Sequence, residues 1–320
     1  MTDAPAPAPG TPAASPAPEK LDRPRSPWGD VWFQFRKHRG AMVAACVLGF
    51  LIVFVLVGPL IWRIDPNFIE PDTAKMFKLR NKPPSLAHPM GTDQLGRDML
   101  ARMMFGGRVS LAVGLVAMFV AIFIGTAVGV MAGFFRRLDG ILMRLTDLFL
   151  ALPLLPLLLV LMMLFRDPVA RTLGPRFGTF LLIVLAIGVT SWMSASRVVR
   201  GEVLALKERE YVLAARSIGL PNRRIILRHI LPNVLSPVLV AATLGIAGAI
   251  ITESVLSFLG LGFPPDFPTW GRLLYDGIAE IRSYPERVIW PGLAISLTVL
   301  SVNYIGDGLR DALDPRIRGR

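Results

Sequence analysis

Charged residues are scarce in this chain, at 18% against about 25% in an ordinary soluble domain. Hydrophobic residues make up 53%, so the shortage of charge points to a membrane protein. Cysteine is nearly absent. The single Cys46 excludes an internal disulfide framework and any multi-cysteine metal site. The three histidines, His38, His88 and His229, lie too far apart in sequence to suggest a metal cluster. No G-x-x-x-x-G-K-[ST] phosphate loop occurs, and H-E-x-x-H, C-x-x-C and G-x-S-x-G are missing too. The chain thus carries no visible engine for hydrolysis. If it moves a solute uphill, the energy comes from an ion gradient or from a separate ATPase. Moving a two-state switch from one side to the other takes about 5.5 kcal/mol of differential binding, which something outside the chain must supply.

Long apolar runs are abundant. A hydrocarbon core of about 30 Å needs roughly 20 apolar residues in helix. Six runs qualify, at 41–62, 109–135, 148–165, 177–196, 230–252 and 288–306. Six spans place both termini on one side. The segments on that side carry 21 of the 35 Lys and Arg residues and the opposite segments carry 14, so the positive-inside rule puts both termini in the cytoplasm. The net charge of +12 is read mainly as this topology signal. The expected fold is an all-α integral membrane protein with six transmembrane helices. Residues 1–40 form a cytoplasmic tail, 41–62 the first span, 63–108 an extracytoplasmic loop, 109–307 a five-span core and 308–320 a cytoplasmic end. Residues 1–19 are Pro/Ala-rich and lack the material for a core. Residues 20–39 interleave basic residues with Trp28, Trp32, Phe33 and Phe35. They read equally as an amphipathic helix on the inner leaflet and as an ordinary flank of the first span.

Small residues recur within the spans. Gly125, Gly129 and Gly133 share one face of the second span, and Ala241, Gly245 and Ala249 share one face of the fifth. Such rows let helix backbones approach closely in lipid. Pro153 and Pro156 should kink the third span and turn it towards the bundle or a pathway. Glu253, near the outer end of the fifth span, reads either as a residue of the path or outer gate or as an interfacial carboxylate. In the 63–108 loop, Asp93, Arg97 and Asp98 read as an outer gate or docking ion-pair cluster, or as a solvated turn; exposed ion pairs contribute little, which favours the turn.

The segment 210–233, "EYVLAARSIGLPNRRIILRHILPN", is unlike its apolar surroundings. Leu204, Tyr211, Ala214, Ala215 and Ile218 share a helical face, and Lys207, Arg209 and Arg216 are cytosolic charges. Gly219 suits the position after a helix end, Pro221 stops the helix, and Asn222 should cap a second short helix over 223–231 before Pro232 enters the fifth span. This helix–turn–helix sits in a cytoplasmic loop, 197–229. DNA binding is geometrically poor, because the second helix would have to reach a major groove while hugging the bilayer. A membrane-surface helix is a better reading. Docking to a cytosolic protein is the best, because Ala214, Ala215 and Gly219 make a low-relief surface.

The segment resembles the "EAA" loop of binding-protein-dependent ABC importer permeases, roughly E-A-A-x3-G-x9-I-x-L-P. Ala214, Ala215, Gly219, Leu231 and Pro232 match it, while Leu213 replaces the glutamate and His229 the isoleucine. Glu210, one turn before Ala214, is the carboxylate nearest the missing one. The stretches 88–111, 253–271 and 306–316 also resemble the dipeptide/oligopeptide (and nickel) branch, C-type subunit. The resemblance runs over about 28–316. It implies the type I ABC importer permease fold, with a coupling helix at 211–220 whose contacts with an ATPase would involve Glu210, Tyr211, Ala214, Ala215, Arg216, Gly219, Leu220 and Pro221. It further implies a homologous B-type permease, two cytosolic ABC ATPases that bind ATP and Mg, an extracytoplasmic binding protein, and no cofactor in this chain. Peptides are the implied cargo, with nickel or another small solute as the alternative. The rival from another class is an ion-coupled secondary transporter. Few intramembrane ionisable groups and no convincing inverted repeat speak against it.

Overall fold

The computed structural model describes residues 27–313. The Pro/Ala segment 1–19 and the far C-terminal residues lie outside the described residues. The fold is all helical. In chain order the elements are α1 (Pro27–Lys37), α2 (Arg39–Ile61), α3 (Thr73–Leu79), α4 (Met99–Phe134), α5 (Arg136–Ala151), α6 (Leu154–Leu173), α7 (Pro175–Val189), α8 (Trp192–Leu206), α9 (Glu210–Ser217), α10 (Asn222–Ile225), a π-helical turn (Ile226–Ile230), α11 (Leu231–Phe258), α12 (Trp270–Ile278) and α13 (Glu286–Leu313). Four helices are long and apolar enough to cross a membrane, and two bent pairs bring the number of candidate spans to six.

The second span is the centre of the bundle. α4 has 36 residues, roughly 54 Å of helix, so it extends well beyond a 30 Å hydrocarbon layer. Its glycine row meets α8 backbone to backbone. A Cβ on Gly125 would lie 2.7 Å from the Trp192 carbonyl, one on Gly129 2.6 Å from that of Ser196, and one on Gly133 3.0 Å from that of Arg200. Both rows advance by four residues, so α4 and α8 run parallel and end on the same side. Lys207 Nζ closes that end by donating to the Gly133 carbonyl at 3.2 Å. The second row behaves differently. Gly245 faces the side chain of Met118, and Ala241, Gly245 and Ala249 line a cavity.

The third and fourth spans are broken. The run 148–165 is not one kinked helix. α5 stops at Ala151, and α6 starts at Leu154, 83° away. Pro153 and Pro156 lack the N–H groups that would bond to Phe149 and Leu152, and their rings crowd those carbonyls. α7 and α8 meet at 40° across Thr190 and Ser191. The segment at 222–231 also departs from expectation. It is the start of the fifth span rather than a separate short helix. Pro221 occupies the cap position with no side-chain cap bond, so Asn222 is the first helical residue rather than the cap. Pro232 is carried by the π-helical turn just before it, where the Leu231 N–H reaches back to the Ile226 carbonyl.

In the first span a carbonyl freed by proline is satisfied by a neighbouring helix. Pro59 lies inside α2 and leaves the Val55 carbonyl without its helical donor. Arg108 of α4 supplies one from outside, its Nε donating to the Val55 carbonyl at 2.6 Å and its Nη2 to that of Leu56 at 2.8 Å. Gly107 next to it leaves room for Val55 and Trp270. α1 packs on the end of α13, with Val31 and Phe35 buried against Ala41 and Ala312, while Trp32 and Phe33 stay exposed. Arg108→Gln should cost about 1–3 kcal/mol, the scale of a buried group left without its partner. The cost should shrink in a Pro59→Ala background, where an N–H returns to the Val55 carbonyl. Thermal unfolding of the four variants of this cycle in detergent measures the coupling, and equal costs in both backgrounds would remove Arg108 from this role.

Candidate functional site

Where α4 and α8 end, the chain builds a small exposed helix on a firm base. Val212 and Ala215 of α9 are buried in a cluster with Val130 and Phe134 of α4, Val199 and Val203 of α8, and Ile225 and Ile230. This corrects the expected face. Ala215 points inward, and Leu204 belongs to α8, a separate helix. The outward face carries Tyr211, Leu213, Ala214 and Ile218, with Ile218 78% exposed. Glu210 is exposed at the first turn, and Arg216 lies 5.8 Å over the Phe134 ring. The helix ends in a Schellman motif. The Leu220 N–H reaches the Ala215 carbonyl at 3.1 Å and the Gly219 N–H reaches that of Arg216 at 3.0 Å. Gly219 holds φ +79° with nothing within 4 Å of where a Cβ would be, so glycine is needed there for the backbone and leaves the surface open. The two positions that differ from the family pattern both have a place. Leu213 is 41% exposed on the outward face, and the His229 ring lies 6.2 Å from that of Tyr211. Leu231 is half-buried at the head of α11, and Pro232 is exposed beside it.

A cavity of about 1120 Å³ opens along the bundle between α8, α11 and the bend joining α5 to α6. Its wall is mostly apolar, with Met118, Leu157 and Leu244 among the lining residues, and is relieved by Thr190, Ser194, Ser236 and Thr252. Glu202 and Arg310 are its charged lining residues. Most of this wall can solvate a polar solute only through hydroxyls, and Glu202 and Arg310 add one charge of each sign.

Glu253 does not line this cavity, although its neighbour Thr252 does. It is fully buried between helices. Ser110 of α4 donates to its Oε2 at 3.0 Å and Ser257 donates to its Oε1 at 2.7 Å. Thr269 Oγ1, which caps α12, lies 3.3 Å from Ser257 Oγ, and the Trp270 N–H donates to Ser110 Oγ at 3.2 Å. The carboxylate thus joins α4, α11 and α12 through hydroxyls. An interfacial position exposed to water is excluded.

The loop cluster is not a solvated turn. Asp93, Arg97 and Asp98 are all buried. Asp93 accepts from the N–H groups of Leu95 and Arg97 and from Arg97 Nε at 2.7 Å. Asp98 caps α4 through the Ala101 N–H, accepts from Trp62 Nε1 at 3.0 Å, and lies 2.7 Å from His88 Nδ1. Four further charged residues, Arg102, Arg272, Asp276 and Arg287, complete the network, and none is marked as such by the sequence. Arg102, fully buried, lies 3.4 Å from Asp276, which also accepts from Arg272. Arg287 donates from Nη2 to Asn81 Oδ1 and to the Thr92 carbonyl, both at 2.8 Å. Arg272 and Asp276 are a local i,i+4 pair, but Arg102 meets Asp276 across 174 residues and Arg287 meets Thr92 and Asn81 across 195 and 206, so no local motif announces those contacts. Among the described residues, no group of three or more His, Cys, Asp or Glu is placed to hold a metal ion.

Comparison with known proteins agrees with this architecture. Residues 121–319 match the family model described as binding-protein-dependent transport system inner membrane component, and residues 26–84 match the N-terminal TM domain of oligopeptide transport permease C. The dipeptide transport system permease protein DppC of Bacillus subtilis is 40% identical over 90% of this chain and 86% of its own length. The oligopeptide transport system permease protein OppC of Haemophilus influenzae is 38% identical over 92% of this chain and 90% of its own. The glutathione transport system permease protein GsiD of Escherichia coli is 38% identical over 94% of both. An inward-facing structure of the MetNI methionine ABC transporter shares the fold, with a TM-score of 0.50, 19% identity, and coverage of 68% of this chain and 98% of that one. Removing the Glu253 carboxylate should cost about 1–3 kcal/mol, because two buried hydroxyls then lose their acceptor. Thermal unfolding should therefore place Glu253→Ala well below Glu253→Gln, which keeps one acceptor oxygen. Equal melting temperatures for the two would show that the hydroxyls re-pair elsewhere.

Proposed function

We propose that this chain, which belongs to the inner membrane components of binding-protein-dependent transport systems, forms half of the translocation path of an ABC importer for dipeptides and oligopeptides. The energy comes from ATPase subunits of the complex, not from this chain. The path is completed by a homologous B-type permease. Two cytosolic ABC ATPases dock on the paired permeases, and an extracytoplasmic binding protein delivers the cargo. In this reading α9 is the coupling helix, and the side on which α4 and α8 end is the cytosol. The peptide assignment rests on the relatives, which are transport permeases for dipeptides, oligopeptides and glutathione. A cavity wall that is apolar with scattered hydroxyls supports it, since peptides vary in side-chain charge and share only their backbone.

One observation carries the mechanism. α9 is anchored by Val212 and Ala215 to the ends of α4 and α8, while Tyr211, Leu213, Ala214 and Ile218 face outward. A partner that grips the outward face therefore moves the helices at the base. Closure of an ATP-bound ATPase dimer would rotate the two permeases between inward- and outward-facing states, a rigid-body and shear transition. The Ala214 side chain is small and exposed, so a large substituent there blocks close approach without disturbing the fold. Ala214→Trp should abolish peptide uptake by the reconstituted complex while the chain remains in the membrane at normal levels. Unchanged uptake would remove α9 from the coupling role. Transport driven by a proton or sodium gradient without any ATPase would overturn the importer reading itself.

A further inference from the structure

α5 is held to the bundle in an unusual way. Of its residues only Thr146 is buried, so apolar packing within this chain does little to fix it. What ties it to α8 is a set of paired side chains. Arg200 grips Asp139 through two bonds, Nε to Oδ1 and Nη2 to Oδ2. Arg197 pairs with Asp147. Phe149 meets Trp192 edge-on at 6.2 Å between ring centroids. The contacts descend α5 as they climb α8, so the two helices are lashed antiparallel along most of their length. A bidentate guanidinium–carboxylate pair fixes orientation as well as distance.

The two lashed helices lead to the two working parts of the molecule. α8 runs on to α9 across three residues and shares the cluster of Val199, Val203, Val212 and Ala215 with it. α5 runs into the 83° bend, and Phe149, Leu150, Leu152 and Leu154 at that bend line the cavity. We propose that the bidentate Arg200–Asp139 pair is the link by which displacement of the coupling helix reaches the cavity wall, the more exposed Arg197–Asp147 pair adding little. When α8 tilts with α9, α5 follows because it is bound to α8 by charge, and the bend turns the motion into a change of the wall at Phe149–Leu154. Arg200 and Asp139 are thus positioning residues that touch neither cargo nor nucleotide. This inference rests on the importer reading given above.

The test uses the complete transporter, reconstituted with its ATPases and binding protein, and measures ATP hydrolysis and peptide uptake on the same vesicles. The variants are Asp139→Arg, Arg200→Asp, the double reversal, and Asp139→Asn, which keeps the shape. Each single reversal should lower uptake per ATP hydrolysed by about fivefold or more, the lower end of typical coupling between sites, with hydrolysis retained. The double reversal should restore the ratio. An unchanged ratio in the single reversals, or a double reversal no better than either one, overturns the proposal. So does failure of the Asp139→Asn complex to assemble, which would make the pair a requirement of folding. A wild-type complex that imports nothing on ATP hydrolysis would contradict the importer reading rather than the role of the pair.

Discussion

The contact of three glycines on α4 with three backbone carbonyls of α8 sets the position of everything else that matters in this protein. In lipid there is no hydrophobic drive between helices, so van der Waals contact at close range has to hold them together. Gly125, Gly129 and Gly133 allow two backbones to lie against each other over two turns. α8 is thereby placed, and with it α9 at its end and α5 along its side. The cavity lies beside this pair, lined by Met118 of α4 and by Thr252 and its neighbours on α11. A side chain at any of the three glycines would push into α8 backbone, which cannot yield as a flexible side chain can.

A second constraint governs the breaks. Inside a bilayer, a backbone group freed from a helix finds no water, so the protein itself must satisfy it. The chain meets this demand in different ways at different depths. Pro59 in α2 is answered by the guanidinium of Arg108. Pro232 is answered by a π-helical turn. The α7–α8 break is answered by Thr190, whose hydroxyl donates to the Ile187 carbonyl at 3.2 Å while the Ser191 N–H turns to Gly188. Buried and half-buried charge follows the same rule. Asp93, Asp98, Arg102, Asp276 and Arg287 lie where the long loop before α4 folds back on α12 and α13, and they join segments far apart in the sequence.

How much of this is legible in the sequence depends on the range of the interaction. Uninterrupted apolar runs mark the first, second, fifth and sixth spans because each is one helix. The Schellman end of α9 is legible because Gly219 and Pro221 act within one turn. The bends are less so. Pro153 and Pro156 signal a kink, yet the apolar run continues through it, and hydropathy is blind to the 83° angle. Thr190 and Ser191 give no such signal. The inward turn of Ala215 and the outward turn of Ala214 depend on where α8 lies, which no local pattern states. The burial of Asp93 has the same cause. "GTDQLGRD" has the composition of an exposed turn, and only arginines from α4 and α13 make it an interior.

In the proposed mechanism a separate ATPase grips this chain on the outward face of α9. The most direct measurement is site-directed crosslinking in the assembled complex. Cys46, the only cysteine, is replaced by serine, and Ile218 on the outward face becomes the sole cysteine of this chain. With a cysteine on the ATPase surface that faces the membrane, oxidation should join the two chains, and the yield should change when ATP is bound. No adduct in a complex that still imports, or labelling of this cysteine by an impermeant reagent from the extracytoplasmic side, would exclude this face as the ATPase contact.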